Sequence, residues 1–209
     1  MKSWFENFWY YYKWHFIAII LAAIILTVTT AQCISSEKYD YKIVVALENC
    51  VLSEKQIKII EKGIAEYGKD LNGDGKVTVS AMNCTYNKSD NTNYNYTISM
   101  QQKLQINAMG NKEALLYITN TETFKYIDEI KKDEGGFFVN CNLPDENGKA
   151  LKLTNFKFFK ELQNFALPVK DLYVCKRIIK GTLLEKAKNI EKTEKDNDFL
   201  LKSLANSAK

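Results

Sequence analysis

Few residues in this sequence are equipped for chemistry. The first group is the run DLNGDGKV, where Asp70, Asn72 and Asp74 put side-chain oxygens at alternate positions and Gly75 supplies a turn. That spacing matches the opening of a calcium loop, whose ligands stand at about positions 1, 3 and 5 with glycine at 6. The twelfth position is Ala81, where such a loop carries a bidentate glutamate. The run also leads into a strand pattern rather than a second helix. Calcium is therefore one reading of Asp70, Asn72 and Asp74. An Asp/Asn/Gly turn between a helix and a strand is the other, and composition alone accounts for it.

The second group is the five cysteines, none in a CxxC pair. Cys50, Cys84 and Cys141 each follow an asparagine and a predicted strand. The carboxyl ends of strands line the ligand crevice of open α/β sheets, so these thiols are expected along one edge. In an oxidising compartment Cys50–Cys84 is the expected disulfide, because the first two strands of such a sheet are usually neighbours. In a reducing one the cysteines act as small buried hydrophobes. A nucleophilic Cys50 or Cys84 would need a base, and the chain's single histidine, His15, sits far off in an aromatic N-terminal run. His15 reads as a polar anchor at the start of an apolar helix. There is no GxSxG, P-loop or HExxH motif, so no catalytic residue is assigned. Asp128–Glu129 and Asp133–Glu134 read as charged helix surface.

Charge narrows the partners. Lysine and arginine total 29 against 25 acidic residues, and only Arg177 is an arginine. Arginine is the side chain suited to bidentate phosphate and guanine contacts, so nucleic acid is not an expected partner.

These groups need elements to hold them, and the strongest of those is N-terminal. Residues 14–36 hold 23 positions without Asp, Glu, Lys or Arg, with FIAIILAAIILTVTTA at their centre. About 20 apolar residues at 1.5 Å each cross a hydrocarbon core, and in lipid the backbone must bond internally as a helix. WYYYKW (Trp9–Trp14) precedes the run as an aromatic collar with Lys13 placed to snorkel. Trp4, Phe5, Phe8 and Trp9 recur at helical spacing, so residues 3–13 read as a short interfacial helix. Thr29–Ala31 also suits signal-peptide cleavage, although the apolar run is long for one. Lipidation at Cys33 would want a small residue where Gln32 stands. Lysines flank both sides of the span. The expected orientation is N-terminus cytoplasmic and C-terminal domain outside, since large C-terminal domains translocate largely regardless of charge.

The chain thus divides into a juxtamembrane segment and transmembrane helix (1–36) and an extracytoplasmic domain (37–209). In the latter, KIVVAL (Lys42–Leu47) predicts a buried strand. Ser53 with Gln56 forms a capping box for a helix striped by Ile57, Ile60, Ile64 and Tyr67 and ended at Gly68. Lys76–Met82 and Ala114–Thr119 predict two more strands, and Gly136–Cys141 and Leu172–Cys175 a fourth and fifth. Helices are expected at Ile98–Met109, Glu122–Lys131 and Phe156–Phe165, with a helical tail over Leu183–Ala208. The Asn-rich stretch 83–97 reads as a loop, and its triplets at Asn83, Asn87 and Asn95 are the chance product of an Asn-rich chain. Strand–helix–strand alternation predicts a three-layer α/β domain with a mostly parallel sheet.

The pieces KIVVAL, DLNGDGKVTV and QQKLQINAMGNKEALLYIT (Gln101–Thr119) resemble, in their order, one lobe of the type 2 periplasmic (extracellular solute-binding) proteins. FWYYYKWH (Phe8–His15) resembles the N-terminus of small membrane-anchored proteins of clostridia. The resemblance spans roughly residues 8–130, and this chain is too short for two complete lobes. It implies a solute-binding-like domain in a bacterial cell envelope. The expected function is a single-pass membrane-anchored, non-catalytic domain binding a small extracellular ligand or an envelope protein, with the lipid bilayer as partner through residues 14–36. A thiol-dependent enzyme and a ligand-free structural tether are the alternatives.

Overall fold

The computed structural model describes residues 2–34, 39–88, 94–131, 135–165 and 169–208. They form two units, dividing after Lys38. The first unit is a single helix, α1 (Lys2–Ile34). The expected separate interfacial helix at residues 3–13 is not seen. With no Gly or Pro before residue 35, nothing interrupts the turn-to-turn hydrogen bonding. Ser35, Ser36 and the start of the expected tether lie outside the described residues.

The second unit is α/β. Its strands are β1 (Tyr41–Ala46), β2 (Val79–Asn83), β3 (Ala114–Thr119), β4 (Ala150–Lys152) and β5 (Tyr173–Lys176). They form an open five-stranded sheet in the order β2-β1-β3-β5-β4. β1 pairs in parallel with β2 (Ile43 opposite Ala81) and with β3 (Ile43 opposite Leu116), while β5 runs antiparallel to β3 and β4 antiparallel to β5. The sheet is thus mixed but mostly parallel.

Alternation along β1 and β3 sends side chains to both faces, and both faces are covered. Ile43 and Val45 of β1 join Leu116 and Ile118 of β3 in one core. That core is completed by α2 (Glu54–Ala65), α5 (Lys157–Gln163) and α6 (Ile190–Ser207). Val44, Ala46 and Tyr117 face the other core, with Leu104, Phe124, Phe137 and Phe138. Its helices are α4 (Thr121–Glu129) and the segment after α3 (Tyr94–Gln102), which widens into a π-helical turn at Lys103–Ala108.

Local chemistry explains these elements. Ser53 caps α2 as expected: its hydroxyl accepts from the Gln56 N–H, and the Gln56 side chain accepts from the Ser53 N–H at 2.9 Å. Asn120 caps α4 by accepting from the Thr123 N–H at 3.1 Å. Gly68 allows a close approach, since a Cβ there would lie 2.7 Å from the Tyr41 ring. The predicted strand at Gly136–Cys141 does not form. Gly135 and Gly136 take φ of 93° and 101°, and Phe137 and Phe138 are both buried in the same core, which the two-residue alternation of a strand forbids. Only one bridge remains there, from Phe138 to Arg177. β4 was not anticipated, being three residues long. α3 starts at Tyr94, inside the stretch expected to be a loop, and residues 89–93 of that stretch lie outside the described residues.

Gly63 on α2 abuts Phe158 of α5, and a Cβ at that position would collide with the Phe158 side chain. Gly63→Ala adds about 1 kcal/mol of helix propensity but overpacks a tight contact, which typically costs about 1–3 kcal/mol. The expected result is a net loss of stability, read as a lower urea midpoint by circular dichroism on the full chain in mild detergent.

Candidate functional site

The carboxyl ends of β1 and β3 meet at a polar pocket of about 360 Å³, lined in part by Glu48, Asn49, Asn120, Glu122, Lys170 and Asp171. Asn120 holds it together. Its Nδ2 donates to the Glu48 carbonyl at 2.8 Å while its Oδ1 caps α4. The Glu48 N–H donates to Thr123 Oγ1 at 2.8 Å, so the end of β1 is tied to the first turn of α4. Asn49 takes a left-handed conformation, φ 59°, which Asn tolerates better than most residues. The Glu48 carboxylate pairs with Lys88 at 2.9 Å. Asp171 pairs likewise with Lys152 at 2.7 Å, so with Lys170 in the lining three lysines offset the carboxylates of Glu48, Glu122 and Asp171, and the pocket is polar and suited to a hydroxyl-rich ligand. Sequence reasoning pointed to this edge but named its cysteines; the Asn120 cap was the signal that locates the pocket.

The thiols do not gather there. Cys50 packs in the α2 core with Cys141 against it, whereas Cys84 and Cys175 lie in the α4 core. Cys50 and Cys84 are free thiols on opposite sides of the sheet, so the expected disulfide is not formed in this structure. Their segments run together all the same: the Cys84 N–H donates to the Val45 carbonyl at 2.8 Å and the Cys50 N–H to the Tyr86 carbonyl at 3.1 Å. Burial pushes the thiols of Cys50 and Cys84 up to about 11, and those of Cys141 and Cys175 upward as well. A nucleophilic cysteine needs the opposite shift. Cys33 lies in α1, and its side chain is outside the described residues.

In the DLNGDGKV loop the oxygens proposed for calcium accept backbone hydrogen bonds. Asp70 accepts from Asn72 (3.1 Å) and Gly75 (2.8 Å), Asn72 from Asp74 (2.9 Å), and Asp74 from Lys76 (2.9 Å). Gly73 and Gly75 supply the left-handed turns at φ 78° and 82°. Asp40, just before β1, clamps the loop from outside: its carboxylate accepts from the N–H groups of Leu71 (2.7 Å), Asn72 (3.1 Å) and Thr78 (2.7 Å). Ala81, at the twelfth position, brings no oxygen; its N–H donates to Glu61 at 2.8 Å. Among the described residues no group of three or more His, Cys, Asp or Glu is arranged to hold a metal.

Two further readings change. Asp128 is not solvated surface: it pairs with Lys149 at 2.7 Å and accepts from the Phe138 N–H at 2.9 Å, closing the turn at Gly136. Asp133 and Glu134 lie outside the described residues. Asn83 uses its amide internally, donating to the Leu52 carbonyl at 3.1 Å.

Set against protein-family models, curated proteins and solved structures, the chain matches none of them.

Two expectations follow. Iodoacetamide at about pH 7.5 should leave Cys50, Cys84 and Cys175 unmodified in the folded protein and label them after denaturation, read by peptide mass spectrometry. Rapid native labelling of Cys50 or Cys84 would instead favour a thiol enzyme. For Asp40, burial works to raise the carboxyl, but the hydrogen bonds from Thr78, Leu71 and Asn72 outweigh it and hold the group below the usual range. A depressed native value gives stability that is complete above the unfolded carboxyl value, about 4, and is lost as pH falls through the native one. Asp40→Asn should therefore lower stability at neutral pH and flatten the loss between about pH 4 and pH 2 in urea titrations.

Proposed function

We propose that the chain is a single-pass membrane-anchored protein that displays a non-catalytic α/β binding domain outside the cell. The observation that carries this reading is α1. Its stretch Phe8–Thr29 spans 22 residues, none of it buried, with Lys13 its one Asp, Glu, Lys or Arg side chain. At 1.5 Å per residue the stretch is about 33 Å long, enough for a hydrocarbon core. Its hydroxyls are satisfied within the helix: Thr27 Oγ1 donates to the Ala23 carbonyl at 2.6 Å and Thr29 Oγ1 to the Ile25 carbonyl at 2.8 Å. Such internal bonding suits lipid, where water cannot serve. The Phe8, Tyr10 and Tyr12 rings lie where an aromatic belt would, with Lys13 Nζ 6.0 Å from the Tyr10 ring centre. A signal sequence has the same length and composition, and is the second reading of α1.

The domain's part is binding. The raised thiols and a lone histidine on the other unit support a non-catalytic role, and the polar pocket at the carboxyl ends of β1 and β3 occupies the place where open α/β sheets take ligands. The solute-binding-lobe resemblance of Gln101–Thr119 supports a small polar ligand there.

Fractionation of cells producing the full chain tests the anchor. The protein should sediment with membranes, resist extraction at alkaline pH, dissolve in detergent, and have an intact mass that includes α1. A soluble product lacking residues 1–31 would establish a signal sequence, and a soluble product of full length would overturn both readings.

A further inference from the structure

The opposite edge of the sheet, at the amino end of β3, carries a second opening of about 690 Å³. Its walls come from the turn before β3, from Phe137, and from the segment that follows β5, where a short 3₁₀ turn (Leu183–Lys186) folds across. Arg177 lies in this wall and is 5% exposed. It is the one arginine among 29 basic residues.

Its neighbour Lys176 shows how this fold treats a buried cation. Lys176 is buried to a similar degree and reaches two carboxylates of α6, Glu194 at 2.8 Å and Asp198 at 2.6 Å. Burial alone would lower it, yet the bonds to Asp198 and Glu194 hold its pKa above the ordinary lysine range. Arg177 has no such arrangement. Nη1 donates to the Asn111 carbonyl at 3.2 Å, the guanidinium lies 5.0 Å from the Phe137 ring centre, and Tyr117 interacts with it through its hydroxyl. Nε is buried with no hydrogen-bond partner among the described residues, and none of their carboxylates forms an ion pair with the guanidinium. A guanidinium stays charged in a protein and offers five donors in a planar fork, and burying it unpaired is costly.

The rest of the opening has the same bias. Among the described residues, Lys112, Lys131 and Lys186 line it against a single carboxylate, Glu185, which accepts from the Gly181 N–H at 3.1 Å. Phe137 and Leu184 present apolar surface beside the guanidinium. We propose that this pocket binds a small organic oxyanion, its carboxylate or phosphate group on Arg177, its remaining charge met by Lys112 and Lys186, and its apolar body against Phe137 and Leu184. The site is distinct from the polar pocket at the carboxyl edge and does not depend on whether α1 is an anchor.

The single arginine makes a direct test available. Full-length protein labelled with ¹⁵N only at arginine, in neutral detergent micelles, gives one Nε–Hε resonance. It is titrated with phenyl phosphate and with benzoate at constant ionic strength, using benzyl alcohol as the uncharged control. The expected result is a saturable shift with a Kd of about 1 mM or tighter for one or both anions, none for the alcohol, and binding weakened about tenfold in Lys112→Ala/Lys186→Ala. The two anions separate phosphate from carboxylate recognition. A shift that stays linear to about 50 mM for both, an equal response to the alcohol, or binding untouched in the double variant would overturn the proposal. Such results would leave Arg177 a structural cation held by Asn111, Tyr117 and Phe137. The fate of α1 in fractionation is read separately, so failure of one claim does not touch the other.

Discussion

β1 and β3 lie side by side in the middle of the sheet with no polar face, and most of the domain answers that constraint. Every residue of β3 is buried, and β1 is buried except for the half-buried Lys42. Parallel partners cannot be joined by a tight turn, so the chain must leave the sheet and cross a face between strands. α2 does this between β1 and β2, and the α3 segment between β2 and β3. Covering both faces then draws in α5 and α6 on one side and α4 with Phe137–Phe138 on the other. The two ends of the strands, where polar backbone must end, each carry one of the pockets described above.

Those edges differ in chemistry for a structural reason. At the carboxyl edge, Asn120 must both cap α4 and tie down the end of β1, which surrounds the opening with backbone carbonyls, Glu48 and Asp171. At the amino edge, β5 ends with Lys176 opposite Leu116, and the chain runs on beside the start of β3, where the Arg177 N–H donates to the Leu115 carbonyl at 3.0 Å. A basic chain segment is thereby laid across the edge. The antiparallel pairing of β5 with β3 is what brings Arg177 to this end of the sheet.

Much of this was legible from local rules. KIVVAL, ALLYIT and the Ser53–Gln56 box state their structure within a few residues, so β1, β3 and the start of α2 fall where they were expected. The apolar stretch of α1 is legible for the same reason, since it needs no tertiary partner. Features that depend on distant contacts were not legible. Gly136–Cys141 has strand-like residues, but the stacking of Phe138 on Phe124, with ring centres 5.1 Å apart, overrides the alternation. β4 exists because β5 offers an edge, and only the Asn147–Gly148 turn before it hinted at a reversal. Cys50 and Cys84 both lie beyond the strand ends and pack in different cores, a division set by tertiary packing that spacing cannot reveal.

The residues that first suggested chemistry share one fate. Asp70, Asn72 and Asp74 spend their oxygens on their own loop, burial keeps the thiols protonated, and Asp128 and Lys176 have partners within the fold. The loop oxygens remain exposed to water, but the thiols and Lys176, which leave it, have been given their neutral form or internal partners, as the cost of desolvation requires. Arg177 departs from this pattern, because a guanidinium can neither lose its proton nor find an acid among the described residues around it. A lone arginine argues against phosphate-rich partners such as nucleic acid, and that expectation is a separate matter from the one buried fork, which shares its pocket lining with three lysines. What sets that fork apart is the desolvation of one side chain, and that belongs to the fold rather than to composition.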